Sequence, residues 1–265
     1  MVTEDAENGE HKEHGRDAYR RVITVYGRKS VLEALRDPAL DCSRLHLADS
    51  NRRGGIVGEI LDVAQQRQLQ VVTHSRQALS RISRNGKQDQ GVALDVRCQA
   101  MAELAHALTT LAARPRTRLL ALDGVTNPQN VGMVLRSAVA AGIDGVLYAD
   151  RGNPALGPLV IKASAGTVFR APLLRCASPV DGIAACAEAG FTLYRLRAGA
   201  PHSLFDAALA ARALFVLGGE SDGVSEAVAA LPGEDLSIPM ANGVESLNVA
   251  VSAALLCYAA RYFDR

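Results

Sequence analysis

Three short segments in the second half of this 265-residue chain gather small, amide and ionisable residues where a ligand could be handled. DGVTNPQNVGMVLRSA holds Asn127, Pro128, Asn130, Gly132 and Arg136. FVLGGESDGVSEAV holds Leu217, Gly218, Gly219, Glu220 and Gly223, and LSIPMANGVESLNVAVSAALLCY holds Ile238, Pro239, Met240, Asn242, Gly243, Ser246, Leu247 and Asn248. Glycine after a strand lets a ligand approach the backbone closely; the plain alternative is a strand-to-helix turn with Glu220 as a solvated acid. Asn127 is a natural N-cap, and Pro128 is at ease at a helix start. Arg136 sits among Val134, Leu135, Ala138 and Val139, where a cation is either solvent-facing or held for a partner. Ser246 suits the N-cap of the last helix, which puts Asn248 in its first turn. The glycine segment is not GxGxxG, and no acid follows at the dinucleotide-binding spacing.

The elements around these segments alternate strand and helix. From Leu119, RLLALD, GVLYAD, APLLR, FTLYRLR, ALFVLGG and LSIPM read as strands, and PQNVGMVLRSAVAAG, residues 179–189, VSEAVAAL and SLNVAVSAALLCYAARYF read as helices. The region around PLVIKASAG also reads as helical. This α/β spacing calls for a mostly parallel sheet covered on both faces, with ligands at the carboxyl ends of its strands. A smaller α/β unit precedes it over residues 20–100. There RVITVY, SRLHLAD, LQVVTH and GVALDVR are strands, and SVLEALR and GIVGEILDVAQQRQ are helices. Residues 101–112 read as a helix and 113–118 as a charged, proline-containing connection, so 101–118 is taken as the linker and 119–265 as the second domain.

Composition narrows the function classes. With 48% apolar residues the chain can bury a substantial core, and no run is long enough to span a bilayer, so no membrane partner is expected. Residues 1–19 form an acidic tail expected to be disordered, and the pair His11 and His14 within it lacks further ligands. Five scattered cysteines without a CxxC pair fit reduced thiols in a cytoplasm and argue against a disulfide framework or a zinc site. The net charge of +1 conceals an asymmetry: −4 over residues 1–19, +6 over 20–100 and −1 over the rest. A middle segment of that sign suits phosphate contacts and equally suits an ordinary solvated surface.

Taken in order, NPQNVGMVLRSA, LGGESDG and IPMANGVESLNV resemble the three motifs of the SpoU/TrmH family of knotted SPOUT methyltransferases. Any one alone is weak; the ordered trio is specific. The likeness extends to VYGRKSVLEAL and QGVALDV, which resemble the L30e-like N-terminal domain of ribosome-directed members. The resemblance implies a deep trefoil knot in the second domain, a homodimer with sites near its interface, and no metal. It implies S-adenosyl-L-methionine bound by backbone groups of Leu217, Gly218, Gly219, Ile238, Met240, Ser246, Leu247 and Asn248. It places functional side chains at Asn130, Arg136, Glu220, Ser246 and Asn248. Relatives commonly have glycine where Asn242 stands; glycine follows here at 243, which implies a shifted bend, since both residues tolerate left-handed backbone.

The implied reaction is methyl transfer to a ribose 2′-hydroxyl of RNA, most directly that of a guanosine in 23S ribosomal RNA. A tRNA target, an adenosine-directed 23S enzyme and a non-catalytic RNA-binding dimer are the alternatives. The resemblance gives the proton-accepting role to Arg136. A guanidinium is too weak an acid to give up its proton in a protein, so stabilising the developing alkoxide or gripping a phosphate is the other use of this side chain.

Overall fold

A computed structural model describes residues 21–262. The acidic tail and its two histidines lie outside the described residues. Two compact units divide the chain: one runs to Gln99 and takes in Leu156–Pro158, and the other comprises Ala100–Ala155 and the chain from Leu159 onward.

The first unit contains β1 (Val22–Tyr26), α1 (Arg28–Arg36), β2 (Asp41–Ala48), α2 (Gly55–Gln66), β3 (Gln70–His74), α3 (Arg76–Ser83) and β4 (Val92–Arg97). Its sheet has the order β1-β4-β2-β3; β2 and β3 are parallel, and β4 runs antiparallel to both β1 and β2. Alternation sets the two faces. Ile23, Val25, Leu45, Leu47, Leu94 and Val96 point one way and are buried, with α1 packed on β1 and β4. Tyr26, Ala48 and Ala93 point the other way and hold Leu79 and Ile82 of α3. That helix is absent from the sequence reading above. Ser75 caps it, its side chain accepting from the Ala78 N–H, and Leu79 alone on it is a fully buried apolar side chain, too short a stripe to stand out by period.

The second unit contains β5 (Ala102–Glu103), α4 (Leu104–Ala112), β6 (Thr117–Asp123), α5 (Pro128–Ala141), β7 (Gly145–Ala149), α6 (Pro158–Ala163), β8 (Leu173–Cys176), α7 (Pro179–Glu188), β9 (Thr192–Leu196), β10 (His202–Ser203), β11 (Arg212–Gly218), α8 (Glu226–Ala229), β12 (Glu234–Ser237) and α9 (Val249–Tyr262). All pairings in its eight-stranded sheet, ordered β10-β12-β9-β11-β6-β7-β8-β5, are parallel. Leu119, Ala121, Leu147, Leu193, Leu214 and Val216 pack on one face against Leu104 and Leu111 of α4 and Ile183 and Cys186 of α7. Each such fully buried leucine is worth about 1.5–3 kcal/mol. On the other face α9 packs against α5 and β11. Arg118, fully buried, donates from Nε to the Ala260 carbonyl at 3.2 Å, satisfying an acceptor near the end of α9.

Three boundaries differ from the sequence reading. Residues 101–118 do not form a linker: β5 pairs with β8, α4 buries Leu104 and Leu111, and β6 already begins at Thr117. Strand β12 stops at Ser237, so Ile238–Met240 lie beyond it. The last helix begins at Val249, three residues after Ser246.

All five cysteines are free. Burial pushes the thiols of Cys98, Cys186 and Cys257 up to about 12 and that of Cys176 to about 11, so these stay protonated and unreactive near neutral pH. No helix among the described residues is long and apolar enough to cross a membrane, and no group of three or more His, Cys, Asp or Glu side chains among them is placed to hold a metal ion.

Candidate active site

Parallel strands deliver their carboxyl ends to one edge, and the three segments meet there. β11 pairs with β6 residue by residue, Leu217 opposite Leu122 and Gly218 opposite Asp123, so the loops that follow them emerge side by side. β12 lies one strand further over, beyond β9. The chain leaves β6 toward β7 and β8 on one side, then returns to β9 on the other, so the reversal of strand order falls between β6 and β11. Ligands of open α/β sheets bind at such a reversal.

Asn127 caps α5 as expected, its Oδ1 accepting from the Gln129 N–H at 2.9 Å, and Gly142 closes the helix in the left-handed region. One turn in, Asn130 is buried, and its Nδ2 donates to Glu220 Oε1 at 2.8 Å. Asn248 Nδ2 donates to the same Glu220 oxygen at 2.8 Å and to Asn130 Oδ1 at 3.2 Å. The three motifs are thereby joined through one carboxylate. Asn248 Oδ1 accepts from the Ala250 N–H at 2.8 Å, so Asn248, not Ser246, caps α9.

The glycines are required by close backbone approach. A Cβ on Gly218 would stand 2.1 Å from the Gly223 carbonyl carbon, and one on Gly219 would stand 2.8 Å from the Gly124 oxygen. Gly219 and Gly223 exchange N–H···O bonds of 2.9 and 3.0 Å, folding the loop back on itself. Asp123, buried at the end of β6, accepts from the Ser225 N–H at 2.7 Å and ties this loop to its neighbour. In the third segment, Asn242 and Gly243 both have positive φ, 57° and 73°, and the Val244 N–H donates to the Ala241 carbonyl at 3.2 Å. That is a two-residue reversal of the primed type, for which Asn-Gly is the preferred pair.

Leu217, Gly218, Gly219, Ile238, Met240, Ser246, Leu247 and Asn248 all line one cavity of about 480 Å³. Leu217 is itself buried. Glu220, Asp222 and Glu245 also line it, against Arg197, which is paired with Asp235 at 3.0 Å. The cavity is therefore lined by more acid than base. The sequence reading passed over Asp123, Asp222, Glu245 and Arg197; an acid ending an apolar strand was the available signal for Asp123, and none marked the others.

Arg136 is not drawn into the carboxylate cluster. It stands exposed on α5 and makes no hydrogen bond or ion pair with the described residues. Gly132, one turn earlier, permits the close approach of α6, a Cβ there falling 2.6 Å from Ala163 Cβ. Tyr148 is core, with its hydroxyl on the Pro154 carbonyl.

Comparison with known proteins follows the same division of the chain. Residues 117–258 match the SpoU rRNA Methylase family, and residues 24–101 match the RNA 2′-O ribose methyltransferase substrate-binding family. An uncharacterized tRNA/rRNA methyltransferase of Mycobacterium avium is 31% identical over 233 residues, 88% of this chain and 75% of that one. A TrmH-family protein of Porphyromonas gingivalis superposes with a TM-score of 0.61 at 29% identity, covering 92% of this chain and 90% of the other. The SpoU methyltransferase AviRb of Streptomyces viridochromogenes, solved in complex with AdoMet, shares the fold at a TM-score of 0.61 and 22% identity, over 91% and 89% of the two chains. With its motifs, sheet and first unit all accounted for in this way, the chain belongs to the SpoU rRNA methylase family of RNA methyltransferases.

Proposed function

We propose that the chain transfers the methyl group of S-adenosyl-L-methionine to a ribose 2′-hydroxyl on a guanosine of 23S ribosomal RNA, acting as a cytoplasmic homodimer whose second unit contains a deep trefoil knot. The carrying observation is that all eight positions expected to hold the cofactor line a single cavity. Its size falls within the range of roughly 300–1,000 Å³ usual for small-molecule sites. Gly218 and Gly219 leave backbone exposed where any side chain would intrude, and three carboxylates suit a ligand carrying a positive sulfonium. S-adenosyl-L-methionine supplies an electrophilic methyl when bound there. The residues of the chain do the positioning. Glu220 fixes Asn130 and Asn248, Asn248 fixes the start of α9, and the turn at Asn242 and Gly243 reverses the chain between Met240 and Glu245, both of which line the cavity. Arg136, which has no hydrogen bond or ion pair among the described residues, is available to neutralise the ribose oxygen or an adjacent phosphate as the proton leaves.

A second copy is supported by α9. Val251, Leu255, Tyr258 and Tyr262 recur along one side of it and are 49%, 37%, 44% and 67% exposed. Met133 on the neighbouring α5 is exposed as well. An apolar stripe of that length on a helix normally meets a partner. An RNA substrate is supported by the loops at one end of the first unit's sheet, where Arg28, Lys29, Arg52, Arg53, Arg84 and Lys87 gather.

The test is transfer of labelled methyl to unmodified 23S RNA and, separately, to tRNA, with the modified ribose mapped. Label at one 23S guanosine is expected, reduced at least about 100-fold in a folded Arg136→Ala variant. Label confined to tRNA, or full turnover by that variant, would overturn the substrate or the role of Arg136 respectively.

A further inference from the structure

Three loops of the first unit are stitched into one charged surface. Arg28 follows β1, Asn51 follows β2, and Gln90 and Gly91 precede β4, which runs antiparallel to both strands, so all three loops fall at the same end of the sheet. Arg28 Nη2 donates to Asn51 Oδ1 at 2.9 Å and its Nε to the Gln90 carbonyl at 3.3 Å, while Asn51 Nδ2 donates to the Gly91 carbonyl at 2.6 Å. Asp89 holds the third loop from inside. Fully buried, it accepts from Ser83 Oγ at 2.7 Å and from the Gly91 N–H at 2.9 Å, and it pairs with Arg76 at 2.6 Å.

These bonds leave most of the positive charge uncompensated. Arg76 is neutralised by Asp89, and Arg53 by Asp62 at 3.0 Å. Arg28 meets only neutral acceptors, and the exposed Lys29, Arg52, Arg84 and Lys87 make no ion pair with the described residues. Against these five cations the loops carry one exposed acid, Asp49, which leaves an excess of four positive charges.

The chain holds the matching charge immediately before this unit. Residues 1–19, which lie outside the described residues, contain Glu4, Asp5, Glu7, Glu10, Glu13 and Asp17 against Lys12 and Arg16, a net of −4. They join the unit at β1. The five residues of β1 span about 17 Å from that junction to the loop at Arg28, whereas twenty residues can reach as far as about 70 Å, so distance is no obstacle. A tether of that kind presents its carboxylates at an effective concentration on the order of millimolar, independent of how dilute the protein is. Carboxylates and phosphates are held by the same guanidinium and ammonium donors.

We infer that the acidic residues 1–19 and bound RNA compete for the loops at Arg28, Arg52 and Lys87, so that RNA binds by displacing the chain's own carboxylates. The inference rests on the reading of the chain as an RNA methyltransferase. Apparent affinity falls in proportion to the fraction of loops left free; cover over four-fifths of them weakens RNA binding about fivefold.

The full-length protein would be titrated with a 23S RNA transcript fragment beside a variant carrying Glu4→Gln, Asp5→Asn, Glu7→Gln, Glu10→Gln, Glu13→Gln and Asp17→Asn. About fivefold tighter binding by the variant is expected in dilute salt, with the gap narrowing between about 0.05 and 0.2 M as ion pairs are screened. Removing negative charge anywhere favours RNA, so a second measurement reads the contact itself. A carbodiimide activates a carboxyl group, and a lysine amine in contact with it expels the urea and forms an amide. Without RNA, amides from residues 1–19 to Lys29 or Lys87 are expected in a digest of the unaltered protein, and saturating 23S RNA should abolish them. Equal affinity of the two proteins in dilute salt, coupling confined to Lys12 or Lys162, or coupling that persists under saturating RNA would each overturn the inference and leave the methyltransferase reading intact. Failure of both proteins to bind either 23S RNA or tRNA would overturn that reading and the competition together.

Discussion

Glu220 Oε1 accepts two amide protons, one from the buried Asn130, 90 positions earlier in the chain, and one from Asn248, 28 positions later, so these bonds unite all three motifs. Glu220→Ala should therefore leave a buried donor without a partner. A loss of about 1–3 kcal/mol is expected, with weaker cofactor binding, while Glu220→Gln keeps an acceptor and most of the stability. Urea unfolding of the two variants checks this; an unchanged midpoint for the alanine form would show that Asn130 finds another acceptor. These residues were singled out by the resemblance of their three segments to the family motifs; residue types alone left Glu220 as a solvated acid, which its exposed position explains. The capping residue was not legible. Ser and Asn cap helices about equally well, so composition could not choose between Ser246 and Asn248. The choice is made in three dimensions, where Asn248 alone can give its amide to Glu220 and accept from Ala250.

At the scale of elements, the loop after β11 is a tight backbone fold in which two glycines exchange hydrogen bonds. Gly218→Ala would drive a methyl group into the Gly223 backbone, which has no side chain to swing aside. Such overpacking costs about 1–3 kcal/mol, and the displaced loop should lower cofactor affinity at least tenfold by calorimetric titration. Retained affinity would mean that the loop can open without disturbing the cavity. The strands of the second unit were readable as apolar runs because they are buried on both faces, as parallel strands must be. Failures came where an element is short or decided by its neighbours. Ala102–Glu103 is a strand only because β8 offers it an edge, and α3 presents too few apolar positions for its period to show. Strand β12 ends early because Ser237 is the last residue paired with β10, whatever the apolar character of Ile238.

For the molecule as a whole, the apolar side of α9 is the feature that a single copy leaves unexplained. Leu255→Glu places a charge in the middle of that stripe without disturbing the face of α9 buried against α5, so the variant should stay folded. Its sedimentation is expected to be that of a monomer, with methyl transfer lost alongside; a dimer unaffected by the charge would place the partner surface elsewhere. The division into two units was legible in the sequence, although its boundary was placed too late, because residues 101–112 look like a free helix until β5 and α4 are seen packed on the second unit's sheet. For a dimer formed through α9, as proposed, Asn248 has a thermodynamic consequence. The same side chain that closes the cavity wall also sets the first turn of α9, the helix that carries the exposed stripe. Whatever free energy passes between the two places through this cap is shared in both directions: a second copy that tightens cofactor binding by some factor must itself be bound more tightly, by that same factor, when cofactor is present.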